Sequence, residues 1–179
     1  FAMQCAFDSM LDKAEIVAVC DINREALESF GNKLKVNKYV NIESMLRTEK
    51  LDLVVLCTPS GIHPEQAITA AKYKVNVVTE KPMATRWNDG LQMVKACDEE
   101  NVRLFVVKQN RHNPTMKLLK RAIKEKRFGK IAMVNVNVFW TRPQDYYDQG
   151  NGWRGTWEFD GGAFMNQASH YVDLLDWLI

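Results

Sequence analysis

Four apolar runs in this sequence each end in a cluster of polar side chains. These are Asp21 after EIVAVC, Thr58-Pro59-Ser60 after LDLVVLC, Glu80-Lys81-Pro82 after KVNVVT, and Gln109-Asn110-Arg111 after NVRLFVVK. A carboxylate, a hydroxyl, an amide and an amine so placed can hold a hydroxylated ligand by hydrogen bonds. The amine can do more: burial lowers a lysine's pKa, so Lys81 can take the proton of an alcohol as a carbonyl forms. The alternatives are a surface lysine or an ion pair with Glu80. A second proton carrier, His170, has Asn166 four residues before it and Asp173 three after, on one face if the segment is helical. Asn166 could then fix a substrate hydroxyl and Asp173 hold the imidazole tautomer, although a lone histidine on a partly apolar helix is commonly structural. Between these groups runs TRPQDYYDQGNGWRGTWEFDG, with Arg142 and Arg154 as forks for carboxylate or phosphate. Tyr146, Tyr147, Trp153 and Trp157 add flat rings that can pack on a base or a sugar, while Trp140 and Trp157 read better as core. His63 and His112 have no carboxylate or cysteine at ligand spacing, so no metal is assigned.

The elements that must position these groups follow from the hydrophobic pattern. The four runs, at 15–21, 51–59, 74–82 and 101–108, are β-branched and apolar on both faces, which suits central strands of a parallel sheet covered by helices. Amphipathic segments lie between them, with Asn23, Pro64 and Asn88 as start signals. Repeated strand, helix, strand predicts an α/β fold with a doubly wound parallel sheet, whose ligands sit beyond the carboxyl ends of the strands. Asp21 stands where a dinucleotide fold places an acid on the adenosine ribose. A 2′-phosphate would meet like charge there, so NAD is favoured over NADP; a plain helix cap explains Asp21 equally well. The glycine-rich phosphate loop should precede that strand by one helix, and residues 1–12 look like that helix. The loop and its strand are absent from the sequence and are expected within about twenty residues missing upstream of it.

From about residue 111 the pattern changes, so a dinucleotide-binding domain is expected over 1–110 and a substrate and oligomerisation domain over 111–179. Residues 114–127 form an amphipathic helix with Met116, Leu119, Ala122 and Ile123 on one face and a basic, solvated opposite face. Alternation at Val134, Val136 and Val138 predicts an antiparallel strand. After Gly161-Gly162, the spacing of Phe164, Ala168, Tyr171/Val172 and Leu175 predicts a helix.

Composition narrows the function classes. The sequence has 179 residues, 46% apolar and 26% charged, with net charge +2. That balance disfavours disorder, a membrane span and nucleic-acid partners. The four cysteines (5, 20, 57 and 97) form no C-x-x-C pair and read as reduced core residues of a cytoplasmic protein. A start without Met and a stop inside LLDWLI suggest a chain cut at both ends, inactive in isolation and binding NAD poorly.

Glu80-Lys81-Pro82 after one strand, Thr58-Pro59 with His63 after the preceding one, and Gly161-Gly162 leading to a helix with His170 and Asp173 resemble the Gfo/Idh/MocA family. The resemblance covers essentially the whole chain. It implies a Rossmann domain followed by an α+β domain with an open antiparallel sheet, and NAD(P)-dependent oxidation of a sugar hydroxyl. More narrowly, NVNVFWTRPQDYYD and WRGTWEFDGGAFMNQASHYVDLLDWL are similar to the bacterial dehydrogenases that oxidise C3 of a UDP-N-acetylhexosaminuronic acid for surface polysaccharide. On that resemblance Lys81 and His170 are catalytic. Asp21, Thr58, Pro59, His63, Glu80, Lys81 and Gln109 face the cofactor, and Lys81, Arg142, Tyr146, Arg154, Asn166 and His170 face a nucleotide sugar. Many relatives carry Asp where this chain has Asn166, which leaves open whether Lys81 or His170 is the principal base. The partner expected is a small molecule, not nucleic acid or membrane, with a homo-oligomer for the complete protein. A non-catalytic dinucleotide sensor, or a dehydrogenase of another sugar or polyol, are the alternatives.

Overall fold

The computed structural model describes residues 14–150 and 152–179. The helix expected over 1–12 lies outside them. Each of the four apolar runs forms a strand near its centre: β1 (Ala18–Cys20), β3 (Leu53–Leu56), β4 (Asn76–Thr79) and β5 (Leu104–Val106). A further strand, β2 (Asn37–Tyr39), and a short helix, α2 (Ile42–Thr48), stand where the sequence showed no period. β2 is a strand because of what it meets: it pairs parallel with β1, Ala18 opposite Asn37, and its Asn37 and Tyr39 side chains both donate to the Glu49 carboxylate at 2.7 and 2.6 Å. β3, β4 and β5 form a second parallel sheet in that order, with Val54 opposite Val77 and Val78 opposite Phe105.

The connecting helices begin where local chemistry allows. α1 (Arg24–Leu34) is capped by Asn23, whose side chain accepts from the Glu25 and Ala26 N–H groups. α3 (His63–Lys72) carries Pro64 in its first turn, where the missing N–H costs nothing. α4 (Trp87–Glu99) starts earlier than expected: extended Arg86 is its cap, and Asn88 lies inside the first turn. The core joins Val54, Leu56 and Val77 of the sheet to Met45, Leu46 and Met93, while Ala67 and Ala70 are small enough to let α3 approach closely.

Only one face of the three-stranded sheet is covered, against the expectation of strands buried on both. Val54, Leu56, Val77 and Thr79 are buried, whereas Leu53, Val55 and Phe105 remain 41%, 50% and 49% exposed. Side chains alternate across a strand, and no described element lies on the second face. Cys57 continues that open face and is exposed, Cys20 is half-buried and only Cys97 is buried; all three thiols are free.

Beyond β5, α5 (Pro114–Lys124) is capped by Asn113 and half-buries Met116, Leu119, Ala122 and Ile123, as their spacing predicted. Its Lys120 is not merely solvated: the ammonium lies 5.5 Å above the Trp177 ring and donates to the Trp177 and Leu178 carbonyls, a favourable place for a cation at a helix C-terminus. The strand expected around Val134–Val138 forms no ladder, because no other described segment runs beside it; Val134 and Val136 stay exposed. The aromatic loop contains a short helix, α6 (Gln144–Asp148). A wide π turn over Phe164–Ala168 then leads into α7 (Ser169–Leu178). The expected face is only partly the buried one. Ala168, Tyr171 and Leu175 are half-buried, but Phe164 and Val172 are exposed, and the most buried positions are Asn166, in the wide turn itself, and Leu174 and Leu178. No described helix is long and apolar enough to cross a membrane.

Candidate active site

Parallel strands share one direction, so the polar clusters after β3, β4 and β5 reach the same edge of one sheet, and the segment 153–170 packs over it. The junction is tight. The Gly61 N–H donates to the Phe159 carbonyl at 3.0 Å and Thr85 Oγ1 to the Glu158 carbonyl at 3.2 Å. A Cβ on Gly61 would stand 2.1 Å from the Glu158 oxygen, so only glycine fits. Directly after this contact Gly161 and Gly162 adopt φ of +74° and +79°, which turns the chain into the π turn and delivers Asn166 to the sheet edge.

There the half-buried Lys81 Nζ donates to both the backbone oxygen and the Oδ1 of Asn166, at 2.8 and 2.7 Å. Burial lowers the Lys81 pKa below the usual lysine range. The Glu80 and Asp160 carboxylates oppose this, while the Lys108 and Arg142 cations reinforce it. One helical turn beyond Asn166, His170 is close enough to feel the same amine. Its pKa is lowered first by burial and then by the positive charges of Lys81 and Lys108, with Asp173 opposing, so a neutral imidazole is favoured near pH 7. The amine and the imidazole, far apart in sequence, therefore share one site.

Asp173 does not hold the His170 tautomer. Its carboxylate takes two bonds from Arg111, at 2.8 and 2.6 Å, and lies 3.5 Å from Lys108. Burial alone would raise Asp173, but these cations hold it below the usual carboxylate range. The His170 ring instead packs near Trp140, with centroids 6.3 Å apart. Asn166 is also more committed than expected, because its Nδ2 donates to the Asp160 carboxylate while its Oδ1 holds Lys81.

Of the other expected residues, His63 is 1% exposed and its ring nitrogens lie 3.0 Å from the Pro82 carbonyl and 2.8 Å from that of Thr58. It ties the loops after β3 and β4 together rather than presenting a nitrogen outward. Thr58 Oγ1 donates to Gln66 at 2.6 Å, and the Lys81 N–H donates to Glu80 Oε2 at 3.2 Å. Asp21 is not the cap of α1; it accepts from the Asn23 N–H at 2.8 Å and stands exposed beyond β1. Gln109 Oε1 is buried with no partner.

The aromatic loop folds into a ladder of alternating rings and cations. The Arg142 guanidinium lies 5.1 Å from the Trp140 centroid and 5.0 Å from Tyr146, and that of Arg154 lies 5.0 Å from both Tyr146 and Trp153. Tyr147 meets Tyr146 edge-on at 5.1 Å. The guanidinium N–H groups reach only the Thr141 and Gln149 carbonyls, and neither cation meets a carboxylate among the described residues. Such rings hold a guanidinium flat and leave its edge for an anion. Trp157 is not core: it is 82% exposed, and Trp140 is 44% exposed against His170 and Tyr171. Sequence reasoning missed Asp160, Lys108 and Gly61. An acid immediately before Gly161-Gly162 was the only available signal for Asp160.

Comparison with known proteins identifies the family of the chain. Residues 3–108 match the family described as an oxidoreductase family with an NAD-binding Rossmann fold, and residues 116–179 match the GFO/IDH/MocA C-terminal domain. The WlbA dehydrogenase of Bordetella pertussis, solved with NADH and UDP-GlcNAcA, is 61% identical at a TM-score of 0.91, over 94% of this chain and 48% of that one. The WlbA dehydrogenase of Chromobacterium violaceum, solved with the same two ligands, is 59% identical at a TM-score of 0.95, over 99% and 51%. Among curated proteins, the D-apiose dehydrogenase of Paraburkholderia graminis is 32% identical over 120 residues, 66% of this chain and 32% of that protein. The chain thus spans about half the length of the two solved relatives and a third of that curated one. With both of its parts matched in order, the chain belongs to the Gfo/Idh/MocA family of NAD-binding oxidoreductases.

Proposed function

We propose that the protein oxidises the C3 hydroxyl of a UDP-N-acetylhexosaminuronic acid with NAD, as a step toward a surface polysaccharide. The observation that carries this reading is the amine of Lys81, held at the end of a parallel strand by two bonds to Asn166, one turn before His170. We assign dinucleotide binding to 1–110 and substrate binding to 111–179. Support for the substrate comes from the two WlbA structures and from the unpaired cations of the ladder, which suit a ligand carrying phosphates and a carboxylate.

The residues present suit NAD. The exposed Asp21 carboxylate can accept the ribose hydroxyls, and the unpartnered, buried Gln109 Oε1 calls for a donor that a bound ligand can supply. Thr58, Pro59, Glu80 and Lys81 would line the same site. When bound, the nicotinamide accepts the hydride from the alcohol carbon. The chain's own task is to place the hydroxyl and take its proton. Two of the Lys81 amine's positions are occupied by bonds to Asn166, so its third position holds either the lone pair or the exchangeable proton. Burial favours the neutral amine, ready to accept the hydroxyl proton. His170 serves as second partner of that hydroxyl.

Mixing the whole protein with NAD and UDP-N-acetylglucosaminuronic acid should form NADH, and no NADH from any UDP-sugar acid would refute the reading. Two further results are expected. Because the neutral amine is the active form, kcat/KM for oxidation should rise with pH through a limb below the ordinary lysine value of about 10.4, and that limb should vanish in Lys81→Met. Arg142→Ala and Arg154→Ala should each raise KM about tenfold or more, the worth of one lost charged hydrogen bond; kcat should change little in Arg154→Ala, while Arg142→Ala, which also removes a cation that lowers the Lys81 pKa, should move the pH limb upward. Added salt should weaken wild-type substrate binding and affect the variants less.

A further inference from the structure

One buried charge has no place in the chemistry above. Asp160 is 1% exposed and lies in the loop before the π turn, yet among the described residues its carboxylate bonds only neutral groups. Its Oδ2 accepts the Gly155 N–H at 2.9 Å, and its Oδ1 accepts Asn166 Nδ2. We infer that Asp160 is a positioning residue, whose carboxylate fixes which way the Asn166 amide stands and thereby fixes the amine of Lys81. The inference rests on the reading of Lys81 as proton acceptor.

A carboxylate can only accept. With one oxygen held by a backbone N–H, the other demands the amide's nitrogen, so the amide's oxygen must turn to Lys81, which it meets at 2.7 Å. The flipped amide would set Nδ2 against the Lys81 hydrogens and Oδ1 against the Asp160 oxygen. Both contacts are unfavourable in a buried site, where an unmatched polar group is costly. The anion is thus one amide away from the amine, close enough to favour its charged form without locking it in an ion pair. The charged groups facing Lys81 are Glu80 at the end of its own strand, Asp160 from this loop, Lys108 after β5, Arg142 from the ladder and, when protonated, His170 from α7. Of these, the two carboxylates retain the amine's proton and the cations release it.

Three variants of the whole protein test this: Asp160→Asn, Asn166→Asp, and the double exchange. In D160N the new amide must turn its oxygen to the Gly155 N–H, so its nitrogen faces Asn166 and forces that amide to flip. In N166D two carboxylates face each other. In the double exchange every donor again meets an acceptor: the amide now at position 160 accepts from the Gly155 N–H and donates to the carboxylate now at position 166, which also accepts from Lys81.

Two readouts apply: the pH dependence of Lys81 acetylation by acetic anhydride, followed by peptide mass spectrometry, and kcat with KM. D160N should move the labelling midpoint of Lys81 down by about one pH unit, as a nearby negative charge is removed. It should lower kcat on the order of a hundredfold and leave KM within about threefold. N166D should move the midpoint up, and so should the double exchange, which sets a carboxylate directly on Lys81; with every bond matched again, its kcat above that raised midpoint should exceed that of either single variant at least about tenfold. If D160N labels and turns over like the wild type, or the exchange rescues nothing, the inference is overturned. If labelling shifts as described but even the wild type makes no NADH from the nucleotide sugar, the proposed function fails while the positioning role stands. Should D160N not fold, the double exchange, with all its bonds matched, still decides by its own midpoint and kcat.

Discussion

Replacing Lys81 with methionine should reduce kcat about a thousandfold in the whole protein, within the range that general acid–base catalysis supplies, while NADH still binds. Methionine keeps the unbranched stem, so the strand end and its packing survive, but it removes the donor that holds Asn166 from across the site. Asn166 Oδ1 then loses its Lys81 partner, while the backbone oxygen keeps the Ser169 hydroxyl at 3.3 Å. An unmatched buried acceptor costs about 1–3 kcal/mol, so a modestly lower melting temperature should accompany the lost activity. Fluorescence titration with NADH separates binding from chemistry. Retained turnover in Lys81→Met, together with its loss in His170→Ala, would make the imidazole the principal base.

A second large effect is expected far from any reacting atom. Gly61→Ala would put a methyl 2.1 Å from the Glu158 oxygen and 2.9 Å from both the Glu158 carbonyl carbon and Phe159 Cα. All three are backbone atoms, so no side chain can swing away; the two segments must separate. Overpacking of this kind costs about 1–3 kcal/mol, and for a chain this size that lowers Tm by roughly 2–12 °C. The separation also moves Asp160, two residues from the clash, and so loosens Asn166 and Lys81. Activity should therefore fall by more than the loss of folded protein explains, seen as a lower kcat at a temperature where the variant remains folded. Gly129→Ala separates backbone strain from steric clash: its φ of +65° is unfavourable for an L residue, but a Cβ there meets nothing within 4 Å, whereas Gly61 has no positive φ and suffers from the clash alone. If the two variants melt together and turn over alike, the junction at Gly61 does not transmit to the site.

The outcome for particular residues shows what kind of information a sequence carries. The centres of β1, β3, β4 and β5 and the polar clusters that follow them could be read directly, because apolar β-branched runs and their termini are local signals. The same holds for the Asn23 cap, Pro64 in the first turn of α3 and the half-buried face of α5. Family-specific motifs extended that reach to Lys81 and His170. β2 escaped because Asn-Lys-Tyr has no period of its own and is a strand only through its backbone pairing with β1. The face of α7 was read only in part: Ala168, Tyr171 and Leu175 are half-buried as spaced, but a π turn, invisible in spacing, leaves Phe164 outside and buries Asn166.

Partners were harder still. Asp173 sits at the right offset to serve His170, yet the fold brings Arg111 to it from another element, and a bidentate guanidinium outcompetes a neutral ring. His63 looked available for a ligand, yet two loop carbonyls enclose it. Asp160 carried no message by itself; it became the buried anion of the site only when Gly61 let the two segments close. By itself the sequence determined the four apolar strands, the helices between them and which residue types stand at the strand ends, since those follow from side chain and backbone chemistry within a few residues, whereas β2 and the unpaired stretch at Val134–Val138 depended on what lies beside them. Only the tertiary structure decided which donor meets which acceptor, because a buried charge takes its identity from the groups that replace its water, and those arrive from distant parts of the chain.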